Sequence, residues 1–328
     1  MVNTIKPQPF PMQPGSTRRA VLLACAAMAG CSAAPPAKPL DPDALLTPWR
    51  TVIGGFLSPP GAPFGMLARP GSGAFVKLIA PTAIALRGND LLIVDSATAR
   101  VWRFDLGLNT LTPASGVPAS LTTTVALGPD QSVWLLDCVA RQMLRFARDG
   151  TLLQTLRLRS GVLAPAGFAL ADGAATLLVA DDAARQWVEY RSVGAFPVAV
   201  RPADGDADPV RGVDALATNG DTVYVLDRKA GAVHVVRRDG QVRASLGAGE
   251  LKQPVAIAAD RFGRVFVHDA QDRTIKLLSP GRPTQVFDAA LLRVQQIGGF
   301  AVDERHLAVA DRLTGQVVIQ VLRAEGRP

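Results

Sequence analysis

Short apolar runs and polar turns alternate along most of the chain, and one phrase recurs: about four apolar residues closed by an aspartate. Its copies are Leu91-Leu92-Ile93-Val94-Asp95, Val133-Trp134-Leu135-Leu136-Asp137 and Leu177-Leu178-Val179-Ala180-Asp181, followed by Val223-Tyr224-Val225-Leu226-Asp227, Val265-Phe266-Val267-His268-Asp269 and Leu307-Ala308-Val309-Ala310-Asp311. Successive aspartates are 42, 44, 46, 42 and 42 residues apart. Such regularity marks an internal repeat, which decides the fold before any single element does.

Each copy has the same surroundings. A short apolar strand precedes it, as in Thr82–Leu86 and Val255–Ala259. A polar turn follows the aspartate, often with an arginine (Arg100, Arg141, Arg185, Arg273), and leads into a strand such as Val101–Phe104 or Met143–Phe146. Asp149-Gly150 and Asp239-Gly240 are hairpin-turn pairs, and Leu152–Leu156 supplies a fourth strand. Helical periodicity does not appear in this region. Four strands in a unit of 42–46 residues is the size of one propeller blade. The expected fold is all-β: a six-bladed β-propeller of four-stranded blades. The apolar strand, aspartate, polar turn and second strand resemble the NHL-repeat family over residues 79–322, although the Pro-x-Gly-Ile opening frequent there is approached only at Gln253-Pro254-Val255-Ala256-Ile257. That resemblance implies a fold; propellers host many unrelated tasks.

The sixth copy ends its third strand at Gln316–Leu322, with six residues left. Its fourth strand must come from elsewhere, and Trp49–Ile53 has the right length and character. Pairing the first strand with the last blade removes both open edges. Residues 49–54 are therefore expected as the closing strand of a propeller at 49–328, and residues 55–75, rich in Gly and Pro, as a crossing loop.

The N-terminus is read as an address. Residues 1–19 are polar and end in Arg18-Arg19, an apolar run covers 20–30, and Met28-Ala29-Gly30-Cys31 resembles the bacterial lipobox. The run is too short to span a bilayer. Residues 1–30 are expected to be a lipoprotein signal peptide, with Cys31 the lipid-attachment residue and 31–48 a Pro/Ala-rich tether. Ser16–Leu22 also resembles a twin-arginine export signal. Ser32, where retention in the inner membrane usually has aspartate, favours the outer membrane facing the periplasm.

Composition adds limits. The net charge is +7, from 35 basic and 28 acidic residues; Lys6, Arg18 and Arg19 leave with the signal peptide, so 32 basic residues face 28 acidic ones. That surplus is no argument for nucleic-acid binding. Of three cysteines, Cys25 would be removed and Cys31 modified, leaving Cys138 as a small apolar residue or a catalytic thiol. The six aspartates Asp95, Asp137, Asp181, Asp227, Asp269 and Asp311 are read as turn caps between second and third strands, since a structural device recurs in every blade while an active site breaks the repeat. The histidines His234, His268 and His306 fall at different phases of the repeat, unlike a zinc site of three imidazoles. Asp204, Asp206 and Asp208 are a weak calcium-loop candidate, without the following glycine and later glutamate. Arg141, Arg145, Arg148, Arg157 and Arg159 read as solvated strand faces or a docking surface. Trp102, Trp134 and Trp187 read as core between blades. No Gly-x-Ser-x-Gly motif or phosphate loop occurs. The expected function is a non-enzymatic protein- or peptide-binding scaffold, monomeric, without cofactor, meeting the membrane through its lipid and other envelope proteins through its surface. The alternative is a metal-dependent lactonase- or lyase-like propeller hydrolase with Ca or Zn in the central channel.

Overall fold

The repeated phrase folds as the second strand of an antiparallel sheet, and its apolar residues are buried on both faces because each sheet is covered on both sides by its neighbours. In this computed structural model the described residues are 45–57, 73–116, 119–120, 123–158, 161–191, 196–203 and 210–323. Three strands come first: β1 (Leu46–Val52), β2 (Gly54–Leu57) and β3 (Phe75–Lys77). Blade one is β4 (Pro81–Arg87), β5 (Asp90–Asp95), β6 (Arg100–Asp105) and β7 (Thr110–Pro113). Blade two is β8 (Thr124–Leu127), β9 (Val133–Asp137), β10 (Gln142–Phe146) and β11 (Leu152–Arg157). Blade three is β12 (Pro165–Ala171), β13 (Thr176–Asp181), β14 (Gln186–Arg191) and β15 (Val198–Val200). Blade four is β16 (Ala215–Asn219), β17 (Thr222–Asp227), β18 (Ala232–Arg237) and β19 (Val242–Leu246). Blade five is β20 (Pro254–Ala259), β21 (Val265–Asp269), β22 (Thr274–Leu278) and β23 (Gln285–Phe287). Blade six is β24 (Ile297–Val302), β25 (His306–Asp311) and β26 (Gln316–Leu322), completed by β1.

The first strands of successive blades touch in a closed circuit, β4 to β8 and on through β12, β16, β20 and β24 back to β4. One apolar cluster fills each gap between neighbours. In the gap between blades six and one, Ile93 and Phe104 meet Ala308, Val317 and Val52. The three internal tryptophans lie in these gaps: Trp102 between blades six and one, Trp134 between two and three, Trp187 between three and four.

β1 closes the ring as the sequence suggests. It runs antiparallel to β26, with Leu46 opposite Leu322 and Val52 opposite Val317. The strand starts three residues before the expected Trp49, so residues 46–48 pair in the sheet. The expected crossing loop differs more. Gly54–Leu57 and Phe75–Lys77 are strands that extend blade one outward, β2 pairing parallel with β7. Gly55 permits this approach: a Cβ there would lie 2.9 Å from the Phe104 ring. The signal peptide, Cys31, most of the tether and the carboxylates Asp204, Asp206 and Asp208 lie outside the described residues.

Candidate functional site

The six aspartates all end second strands, at the end of the blades where the innermost strands begin. Asp95, Asp227 and Asp311 both cap the following turn and hold the segment that enters the blade. Asp181 and Asp269 bond that entering segment, and Asp137 bonds its turn. Asp95 Oδ1 accepts from Ala97 and Thr98 in the turn, at 3.2 and 3.4 Å. The carboxylate also takes two N–H groups that lead into β4, Ile79 on Oδ2 (2.8 Å) and Ala80 on Oδ1 (3.1 Å). Asp181 holds Leu163 and Ala164 in the same way, Asp269 holds Lys252 and Gln253, and Asp311 holds Gln295 and Gln296. Asp227 accepts from Arg211 and from Ala230 in its turn. These five side chains are wholly buried, and a buried carboxylate survives only with such donors. Asp137 is half-buried and accepts from Ala140 at 2.8 Å. The fourth residue after each aspartate has positive φ: Ala99, Arg141, Arg185, Gly231, Arg273 and Gly315. At Gly315 a Cβ would stand 2.5 Å from the Leu78 carbonyl, so that turn admits glycine alone.

What the aspartates position differs from blade to blade. The residue gripped by the outer carboxylate oxygen is Ile79 in blade one, Leu163 in blade three, Arg211 in four, Lys252 in five and Gln295 in six. The turns add Val139 in blade two, Arg228 and Lys229 in four, and Leu313 in six. Ile79, Val139, Leu163 and Leu313 are 56%, 80%, 67% and 64% exposed. Exposed aliphatic side chains stand over blades six, one, two and the start of three. Exposed cations stand over four and five, and also on the turns of one, three and six (Arg100, Arg185, Arg312).

The channel mouth on this face carries one clear break in the repeat. In four blades the innermost strand bulges at one point, at Thr82, Ala166, Val255 and Gly298. Blade four has Asp214 there, immediately before Ala215, which pairs with Leu226. Asp214 accepts the Arg228 N–H at 2.9 Å, and the Arg228 guanidinium lies 3.7 Å away. Burial pushes its carboxyl above the usual range; Arg228 opposes this, while Asp182 and Asp227 add to it. The three carboxylates converge on Gly212, where a Cβ would lie 3.0 Å from oxygens of Asp182 and Asp214 and 3.4 Å from Asp227. Lys229 bonds Asp182 at 3.0 Å. Among the described residues no three His, Cys, Asp or Glu side chains are placed to hold a metal ion.

The histidines stand apart. His234, buried on β18, faces Asp227 at 3.4 Å through Nε2 and the exposed Ser245 hydroxyl at 2.9 Å through Nδ1. Lys276 holds the equivalent place in blade five, bonded to Asp269 at 2.7 Å, so both residues serve as internal partners of a blade aspartate. His268 is buried on β21, and loss of hydration pulls its pKa down to about 4. His306 stacks on Trp49 with ring centres 4.6 Å apart. Burial and the Asp137 charge raise the pKa of the Cys138 thiol, the opposite of what a nucleophilic thiolate needs.

The arginines named from sequence do not gather. Arg141 turns to the Val162 carbonyl at the aspartate face. Arg145 and Arg148 sit at the other end of blade two, against Asp130 and Gln131. Arg157 is exposed on β11, and Arg159 lies outside the described residues.

No family model and no curated relative matches the chain. Solved structures match its fold. A virginiamycin B lyase from Staphylococcus aureus superposes with a TM-score of 0.54 at 11% identity, over 74% of this chain and 95% of that one. A gluconolactonase from Xanthomonas campestris gives 0.55 at 14% identity, over 84% and 99%. A Bacteroides thetaiotaomicron protein of unknown function gives 0.60 at 13%, over 85% and 76%. At these identities the likeness is one of fold.

Proposed function

We propose that this chain is an exported lipoprotein, held to the outer membrane through Cys31, whose NHL-like propeller is a non-enzymatic scaffold for a protein or peptide partner. The observation that supports this reading is the row of exposed aliphatic side chains on the aspartate face. Ile79, Leu163 and Leu313 are held out into solvent by backbone N–H groups bonded to buried carboxylates, and exposed Val139 joins them, with Arg211, Arg228, Lys229 and Lys252 on the same face. Burying one such side chain in an interface yields about 1.5–3 kcal/mol, and rigid loops leave little ordering cost to offset it. The matching partner presents apolar residues beside acidic ones. Cross-linking in intact cells followed by purification tests this. Leu163→Asp with Leu313→Asp is expected to abolish a defined cross-linked product, while Leu153→Asp on the outer strand β11 leaves it. Equal yield from all three proteins would reject the assigned face.

A second reading is a hydrolase or lyase, the classes named among the fold neighbours, with the burial-raised Asp214 carboxyl at the channel mouth as its acid; Asp182, Asp214 and Asp227 are not placed to hold a metal ion together. Turnover of a lactone by the purified protein, lost in Asp214→Asn, would establish it.

A further inference from the structure

At the opposite end of the blades a second cluster stands where the chain enters the propeller. Leu45, the first described residue, accepts the Arg323 N–H through its carbonyl at 2.9 Å. The Arg323 carbonyl in turn accepts from Arg264. Trp49, on the strand that begins here, is 46% exposed although it stacks on His306. On the adjoining turn of blade five Phe262 is 58% exposed, with the exposed Arg261 guanidinium 4.9 Å from its ring centre; Arg264, 5.6 Å from that ring, is buried and bonded to Asp260. Arg261 bridges to Glu304 at 2.7 Å, which links the Phe262 turn to the turn beside His306.

We propose that this cluster is a membrane-surface docking patch whose occupant is the headgroup layer of a phospholipid bilayer. The inference rests on the lipid-anchor reading of Cys31. An exposed tryptophan and phenylalanine beside two exposed arginines, Arg261 and Arg305, is the composition favoured at a membrane interface, where rings sit at headgroup depth and guanidinium groups reach phosphates. The position of the cluster supplies the second argument. Thirteen residues separate Cys31 from Leu45, a span of at most about 45 Å. A tether of that length holds the entry point near the bilayer at roughly millimolar effective concentration, so an interaction too weak to recruit a free protein suffices to orient an anchored one. The aspartate face is then turned away from the membrane, free for a partner.

Trp49 is a usable reporter because Trp102, Trp134 and Trp187 are 5%, 7% and 0% exposed. The acylated full chain is reconstituted into phosphatidylcholine–phosphatidylglycerol vesicles, with or without brominated acyl chains, and its flotation and tryptophan emission are measured together. The expected result is flotation with loss of emission to the brominated lipid. That loss should disappear in Trp49→Phe and shrink in Phe262→Asp, with flotation unchanged in both. Protein that floats but shows no such loss overturns the docking patch and leaves the anchor standing. Protein that fails to float overturns the anchor and the patch with it. Shielding of Trp49 from aqueous iodide without quenching by brominated lipid overturns the patch in favour of a protein contact.

Discussion

Replacing Lys276 by Met should expose how the blade aspartates are kept charged inside the protein. The Lys276 ammonium is 5% exposed and touches Asp269 at 2.7 Å, Asp272 at 2.8 Å and the Glu250 carbonyl at 2.6 Å. Burial works against the charge on Asp269, yet the Lys276 ammonium and the N–H groups of Lys252 and Gln253 outweigh it and hold the carboxyl at about 2. Against an ordinary value of 3.8 that is about 2 kcal/mol of stability, fully present above pH 3.8 and lost as pH falls through 2. Methionine keeps the stem but leaves a fully buried carboxylate with backbone donors only, a change that costs about 3–5 kcal/mol at pH 7. The cost should shrink at pH 3. There the wild-type Asp269 is still ionised, whereas in the variant burial drives it to take up a proton. Urea denaturation at the two pH values measures this directly. A loss below about 1 kcal/mol at pH 7, or one equal at both pH values, would refute the reasoning.

Three further outcomes follow from particular contacts. Val52→Asp puts an unpaired charge between Val317 and the core of blade one, and should cost several kcal/mol and open the N-terminal strand to proteolysis before the rest of the domain; resistance equal to wild type would contradict ring closure. His268 is held neutral, so between pH 6.5 and 4 the unfolded chain binds the proton first; stability should fall by about 3 kcal/mol over that window, and His268→Leu should remove that part of the slope in urea midpoints. Cys138, its pKa raised by burial and by Asp137, should react with a disulfide reagent at pH 7.5 far more slowly in the folded than in the urea-unfolded protein, and equal rates would count against that environment.

The ring was legible because the phrase ending in Asp95 and its successors is read twice by the fold, once as a strand buried on both faces and once, in every blade but the second, as a carboxylate bonded to the segment that enters the blade. The count of strands likewise betrayed the missing edge that β1 fills. β2 and β3 were not legible. They are four and three residues long, β2 contains Gly54 and Gly55, and neither shows a period-two pattern; the pairing of β2 with β7, to which β3 is added, is a tertiary choice made by close backbone approach. The make-up of the aspartate face was hidden for another reason. Ile79, Leu163, Arg211, Lys252 and Gln295 are equivalent through the aspartates that grip them, yet they lie 16, 18, 16, 17 and 16 residues before those aspartates. Loops of unequal length blur that alignment until the hydrogen bonds fix it. Asp214 escaped notice because it looks like an ordinary loop acid until the bulge register sets it beside Thr82, Ala166, Val255 and Gly298.

The central claim is that the aspartate face holds a partner, and a photo-cross-linking residue walked over the propeller in living cells tests it most directly. Placed at Ile79, Leu163 or Leu313, it should give one shared adduct of defined mass. At Leu108 or Leu153, also exposed but away from that face, it should give none. An adduct formed only from Leu108 or Leu153, or none from any position, would contradict the account.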